Sequence, residues 1–440
     1  MAEAAGALVR AWELCYLDPL SARDLGRELA QDTGPGTGQT VAEAWLLVAL
    51  CEVRVGSAAV AQQALAQARL GYANVHDTAA QNRGLALCDE VQAIDLRRAG
   101  DYEASARLQA AIDQRVGFTA DAMHRFIAHN SRAITAKVRC QPDSALQHFY
   151  AASDAAQQTG WQGPRISALC NLGGFHQDLY NLEDARELSQ QALLAAQQAG
   201  ATQALCATAA NLIVIHHAAG DMQQARDSAA FLLNQSGPQM AGLVERYALP
   251  LALGHLAVGE IDPAMAYLEQ DTVATLGDGD GRTFWAWVMA RCLLARRQPA
   301  AALALAEQTL RERQQQQLND QPYDSMSLHR ALADAAEQAG DAAAALRYMR
   351  QAHALYEQLV GRSARARYIG LQVRHQLAQA QHERDVAVDG RRSLAELYSA
   401  LQSQVAETEK LHTQLREQAL RDPLTGLHNR RYLFEMAPGL

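Results

Sequence analysis

The sequence predicts an all-α fold, a solenoid of helix pairs over residues 1–360 followed by a helical linker with a coiled coil over 361–421. Three observations lead to it. Small residues recur at Ala22, Ala61, Ser105, Ala145, Ala185, Ala225, Ala264, Ala301 and Ala345, in steps of 39, 44, 40, 40, 40, 39, 37 and 44. A period near 40 held over so many units is the mark of a repeat array. Hydrophobic residues make up 49% of the chain but aromatics only 6%, so the apolar content is Ala and Leu, suited to close-packed helices. Toward the C-terminus, leucines recur at steps of three and four.

The clearest repeat begins at Cys170-Asn-Leu-Gly-Gly-Phe-His-Gln-Asp-Leu-Tyr-Asn-Leu-Glu-Asp-Ala185 and continues through Ala192. It reads as a helix, a tight polar turn and a second helix. Similar turns stand at Gly100-Asp101, Gly220-Asp221, Gly259-Glu260 and Gly340-Asp341. Twelve residues before the anchors, the first helix offers Ala49, Ala93, Ala133, Gly173, Ala252 and Ala333, small residues where paired helices must approach most closely. Ile213 and Met289 break this rule. The pattern resembles tetratricopeptide repeats, with units longer than usual, and that resemblance implies about nine helix pairs in a right-handed superhelix.

Three polar stretches read as loops: Thr33–Thr40, Leu276–Gly281, and the segment from Gln314 through Pro322. Past the array, a helix is expected from Arg362 to Asp385. A stop follows at Asp389-Gly390, and Ser393-Leu-Ala-Glu396 is a capping box that would restart it. The seam then runs through Leu394, Leu397, Leu401, Val405, Thr408, Leu411 and Leu415, a two-stranded coil of about 42 Å if fully helical.

Asp422-Pro423 should end that helix, because Pro lacks the N–H and disfavours the α region in the residue before it. Asn429 is a good N-cap for a helix from Arg430. The stretch Asp422, Leu424, Thr425, Gly426, Leu427, Asn429, Arg430, Arg431 spells D-x-L-T-G-L-x-N-R-R, which resembles the opening of the GGDEF family of diguanylate cyclases. The resemblance covers residues 422–440 alone. It implies an intact parent that joins two GTP into cyclic di-GMP with magnesium, working as a homodimer through the coiled coil. The family's metal-binding aspartates and its Gly-Gly-Asp/Glu-Glu-Phe loop would lie downstream, so no catalytic residue, metal ligand or cofactor is expected within this chain.

Composition excludes several classes. The net charge is −9, and the 360 residues before Gly361 carry −12, a poor match to nucleic acid. No apolar run reaches a membrane span and no signal sequence opens the chain, so a cytoplasmic protein without membrane contact is expected. Seven dispersed cysteines without a C-x-x-C pair read as reduced core thiols. Gly34–Thr40 lacks the lysine of a phosphate loop, and Asp278–Gly281 lacks the closing glutamate of a calcium loop. None of His124, His129, His216, His217, His375 and His382 sits in an H-E-x-x-H context.

Fourteen residues before each anchor stand Leu47, Val91, Ser131, Asn171, Asn211, Pro250 and Trp287, with Asn130 beside Ser131. Asparagine both donates and accepts, so Asn130, Asn171 and Asn211, one per repeat, suit an extended peptide backbone. Two turns on, Arg97, Lys137, Gln177 and His217 form a polar, partly cationic strip. The plain alternative is that the asparagines bridge adjacent helices. The expected function is a sensory region that binds a peptide, protein or small ligand in the superhelix and sets the dimer geometry of a GGDEF output. The other reading is a non-enzymatic repeat adaptor or peptide-binding regulator with a vestigial GGDEF start.

Overall fold

The structure, a computed structural model, describes residues 2–31, 38–115, 121–235, 247–270, 281–316 and 322–432. Eighteen α-helices account for most of the described residues, and among these the only β-type pairing is one bridge between Arg421 and His428. The chain divides into two compact units, Met1–Val373 and Arg374–Leu440.

In the first unit the helices come in pairs. They are α1 (Ala2–Leu14) with α2 (Pro19–Ala30), α3 (Gly38–Val55) with α4 (Ala58–Ala73), and α5 (Thr78–Arg98) with α6 (Tyr102–Arg115). Next come α7 (Ala122–Val138) with α8 (Pro142–Thr159), α9 (Gln162–Asp178) with α10 (Leu182–Ala199), and α11 (Thr202–Ala219) with α12 (Met222–Asn234). The last three are α13 (Ala248–Ala257) with α14 (Ile261–Leu268), α15 (Gly281–Ala295) with α16 (Pro299–Gln316), and α17 (Pro322–Gln338) with the first part of α18 (Ala342–Leu420), whose residues from Arg374 belong to the second unit. From α9 onward each first helix packs on the first helix of the next pair, so these helices form one continuous layer.

The anchor residues explain the period. Ala22, Ala61, Ser105, Ala145, Ala185, Ala225 and Ala264 are fully buried. Each sends its N–H to the carbonyl of the residue four before it, which caps its helix. In α16 that geometry selects Ala302, bonded to Gln298 and 1% exposed, rather than the expected Ala301, which is exposed. The run Pro299-Ala-Ala-Ala offers a small residue at every phase, so sequence alone misplaced the register by one. With Ala302 as anchor, the residue twelve before is fully buried Ala290, and the Met289 exception disappears. The residue fourteen before becomes Val288 instead of Trp287. Ile213 remains, fully buried.

From α5 onward, the turn between the two helices of a pair has a fixed left-handed position. Glycine fills it at Gly100, Gly220, Gly259 and Gly340, with φ between 78° and 86°. Cys140, Tyr180 and Arg297 fill the same position at φ 55°, 59° and 58°. A side chain there is strained, because its Cβ crowds the backbone.

Three expectations change. Helix α18 runs unbroken from Ala342 to Leu420, through the expected stop at Asp389-Gly390 and the expected restart at Ser393. One glycine costs a helix about 1 kcal/mol, too little to break a long run of good helix formers. Of the predicted loops, Gly38–Thr40 and Gln314–Gln316 are helical and Gly281 and Pro322 open helices, while 33–37, 276–280 and 317–321 lie outside the described residues. Among the cysteines, Cys140 is exposed and Cys170 half-buried; the other five are buried, and all seven are free thiols.

In the second unit, the segment after Leu420 folds onto itself. The Asp422 carboxylate accepts from the N–H of Leu424 at 3.1 Å and of Thr425 at 2.9 Å, and from the Thr425 hydroxyl at 2.9 Å. These bonds hold its pKa below the usual carboxylate range. Asn429 caps the next turn, accepting from the N–H of Arg431 at 2.9 Å, and its amide donates to the Ala419 carbonyl at 2.8 Å.

Candidate functional site

The first helices of six successive pairs converge on a cleft of about 310 Å³. Helix α7 contributes Lys137, the C-terminal end of α9 with its turn contributes Gln177, Asp178 and Tyr180, and the start of α10 contributes Leu182. Val214 and Ala218 come from α11, Leu249 and Pro250 from α13, Gly281 and Phe284 from α15, and Tyr323 and Asp324 from α17. Residues 186 positions apart therefore share one wall, which requires the array to curl around this space.

Three aromatic rings, Tyr180, Phe284 and Tyr323, are part of the lining. Tyr180 stacks on Tyr323 with centroids 5.9 Å apart, and Trp287 stands edge-on to Tyr323 at 6.3 Å and against Phe284 at 5.3 Å. The Trp287 indole donates to the Asp324 carboxylate at 3.3 Å. Behind Tyr323, His217 Nδ1 lies 3.1 Å from its hydroxyl. Burial holds His217 well below its ordinary pKa, at about 4, with the charge of Arg291 adding to the effect, so the ring is neutral at pH 7. Burial likewise raises the Tyr323 and Tyr180 phenols. Polar groups are few. Lys137 and Asp178 form an ion pair at 2.5 Å. Gln177 Oε1 is buried with no hydrogen-bond partner among the described residues. An apolar cleft with a few oriented polar groups is the usual form of a small-ligand or peptide site.

Of the expected strip, Lys137 and Gln177 line the cleft, and Pro250 does so from the fourteen-before position. The others are outside the lining. Asn171 donates to Asn130 Oδ1 at 2.8 Å, joining α9 to α7. Asn211 lies against Gly174, where an added Cβ would come within 3.2 Å of its amide nitrogen. Arg97 donates to the Ser131 carbonyl at 3.1 Å, and burial lowers its pKa to about 10. Sequence reasoning missed Asp178, Tyr180, Phe284, Tyr323 and Asp324. One signal was available for Tyr180, a bulky residue at the turn position where four other repeats carry glycine.

No protein-family model matches the chain, and no curated protein does. Solved structures do. The chain is similar to a Rap protein complexed with Competence and Sporulation Factor, at 11% identity and TM-score 0.52, covering 82% of this chain and all of that one. It is similar to the Rap conjugation regulator of plasmid pLS20 in complex with the Phr* peptide, at 13% identity and TM-score 0.50, over 81% and 96% of the two chains. The apo quorum sensor NprR from B. thuringiensis matches at 12% identity and TM-score 0.50, over 81% and 99%. At these identities the likeness establishes the fold, a tetratricopeptide-like helical solenoid. Among the described residues no helix is long and apolar enough to cross a membrane.

Proposed function

We propose that this chain is a peptide-binding helical-repeat regulator whose ligand occupies the ring-lined cleft between α7 and α17. The observation that carries the reading is the convergence of six first helices on one apolar space with an unpartnered Gln177 carbonyl and few charges. An extended backbone would supply the N–H that Gln177 lacks, and an apolar side chain would fill the space beside Tyr180, Phe284 and Tyr323. Burial of such a side chain contributes about 1.5–3 kcal/mol, more than the ~0.5–1.5 kcal/mol of one amide hydrogen bond, so the rings set affinity and Gln177 sets register. The solved neighbour holding a Phr* peptide on the same fold supports a peptide as the ligand class. The asparagines of α7, α9 and α11 then act as struts that hold the lining helices in place.

The test is enrichment of a pooled library of short synthetic peptides on the immobilised chain, read by mass spectrometry. A restricted set should be retained by the wild type and lost from Tyr323→Ala. Equal retention by both, or none by either, overturns the reading.

The motif at 422–431 supports a finer reading of the output, in which the repeat region sets the geometry of a GGDEF-type diguanylate cyclase acting as a homodimer, with GTP and magnesium held by that domain. Reading the coding sequence beyond Leu440 decides it. A GG[DE]EF loop with upstream aspartates sustains the cyclase, and an early stop leaves a regulator without an enzyme.

A further inference from the structure

The first part of α18 does not end with the array but lies back on its middle. Leu359, Ser363, Ala366, Ile369, Gly370 and Val373 are buried, and Ala366 and Ile369 share a small niche with Pro142, Asp143, Leu146 and Leu179. Arg365 grips the Asp143 carboxylate at the start of α8 through its Nε at 2.9 Å. Arg367 Nε donates to Asn181 Oδ1 at 3.0 Å. At Gly370 the helix comes so close to α8 that a Cβ would lie 2.7 Å from the Tyr150 hydroxyl. Tyr150 in turn meets buried His176 at 3.1 Å, and His176 meets Asn181 at 3.0 Å, so the docking residues form one polar chain.

That chain abuts the cleft. Tyr180, next to Asn181, presents one side to Tyr323 in the cleft and another to Tyr356 of α18, edge-on at 6.3 Å. Its left-handed backbone is the strained form of a turn that four repeats make with glycine. A non-glycine residue held there persists only where its surroundings fix it.

We propose that residues 359–373 are a detachable strap, and that cleft occupancy and strap docking are coupled through the Tyr180–Asn181 turn. A ligand that draws the Tyr180 ring into the cleft takes it off Tyr356 and shifts Asn181 away from Arg367. By reciprocity, releasing the strap changes the cleft. This regulation rests on the cleft being a ligand site, but its test needs no ligand, so the two ideas fail separately.

The test is hydrogen exchange of the full chain. Gly370→Leu keeps α18 a good helix former while blocking the approach to Tyr150. It is expected to raise exchange in 359–373 and also in 177–182 by about tenfold or more, with α3 and α4 unchanged. Phe284→Ala, a cleft substitution on α15 outside the Tyr180–Asn181 turn, should leave 359–373 as protected as in the wild type. Unchanged exchange in 359–373 of Gly370→Leu would show that the strap does not detach. Raised exchange there with 177–182 unchanged would show that strap and cleft are independent. Equal loosening by Phe284→Ala would overturn the Tyr180 route.

Discussion

Residues 342–373 and 374–420 belong to one unbroken helix, yet only the first stretch buries a set of its apolar side chains. In the first stretch Ala352, Leu359, Ala366 and Val373 are 9% exposed or less. In the second Leu394, Leu397, Leu401 and Leu415 are between 57% and 69% exposed. Single exposed leucines need no explanation, but a seam of them at three-four spacing is a surface shaped for another helix. The first stretch is held by its own chain. The second has no cover among the described residues, and we propose a second copy of the same helix as its partner. Helical propensity alone does not stabilise such a rod in water. On that proposal one helix holds two kinds of stability, one independent of concentration and the other dependent on it.

The sharpest way to break the comparison is to remove a buried charge from the array. Arg132 and Glu90 pair at 2.5 Å with side chains 6% and 3% exposed. Glu90→Ala should cost the first unit about 3–5 kcal/mol in denaturant unfolding, because it leaves the guanidinium buried without that carboxylate. A loss below 1 kcal/mol would mean that other partners carry Arg132. By contrast, Arg392 and Glu396 on the second stretch are 79% and 69% exposed, and Arg392→Ala should leave unfolding unchanged.

Next in size is the seam. Leu401→Glu with Leu415→Glu should weaken self-association by on the order of 100-fold in sedimentation while sparing the array, since a charge in a two-stranded seam has no partner. An unchanged monomer–dimer balance removes the proposed second copy.

A pH series separates the two units further. His129 and His217 are both held near pKa 4 by burial, against 6.5 when unfolded. The unfolded chain therefore binds more protons between these values. The stability tied to neutral rings is complete above pH 6.5 and is lost as pH falls toward 4. The melting temperature of the array should drop across that window, and His129→Gln with His217→Gln should flatten the slope. A flat wild-type profile would contradict the burial of these rings.

The smallest expected effect concerns the turns. Cys140→Gly and Arg297→Gly should each stabilise the array by about 0.5–1 kcal/mol, relieving the left-handed strain against the entropy that glycine adds to the unfolded chain. Tyr180→Gly should relieve the same strain but empty one wall of the cleft, so gaining stability and losing peptide retention would separate its two roles.

How much of this the sequence shows depends on the range over which each cause acts. The repeat was legible because one anchor per unit meets a helix twelve residues away, a local packing demand. The helix stop at Leu420 and the Asn429 cap were legible for the same reason. Gly390 misled because a local breaker is weighed against a long helix, not read alone. The Ala301 error came from a run of alanines in which only packing chooses the phase. The cleft was mostly hidden, since Lys137, Tyr180 and Tyr323 meet only through the curl of the array. Lys137 and Gln177 could be singled out because they fall in a strip that repeats, whereas Phe284 and Asp324 do not, although all four line the cleft.

The long reach of the strap has one more consequence, in the order of assembly. Most contacts of the array join neighbouring pairs, so it can grow from several starting points at little cost in loop closure. The Arg365–Asp143 contact closes 222 residues at once and can form only after the intervening pairs have stacked. During synthesis α8 emerges well before the segment that covers it, leaving the niche at Tyr150 open. Refolding followed by pulse-labelled exchange should accordingly show 142–150 acquiring its full protection last, after helices that were made later.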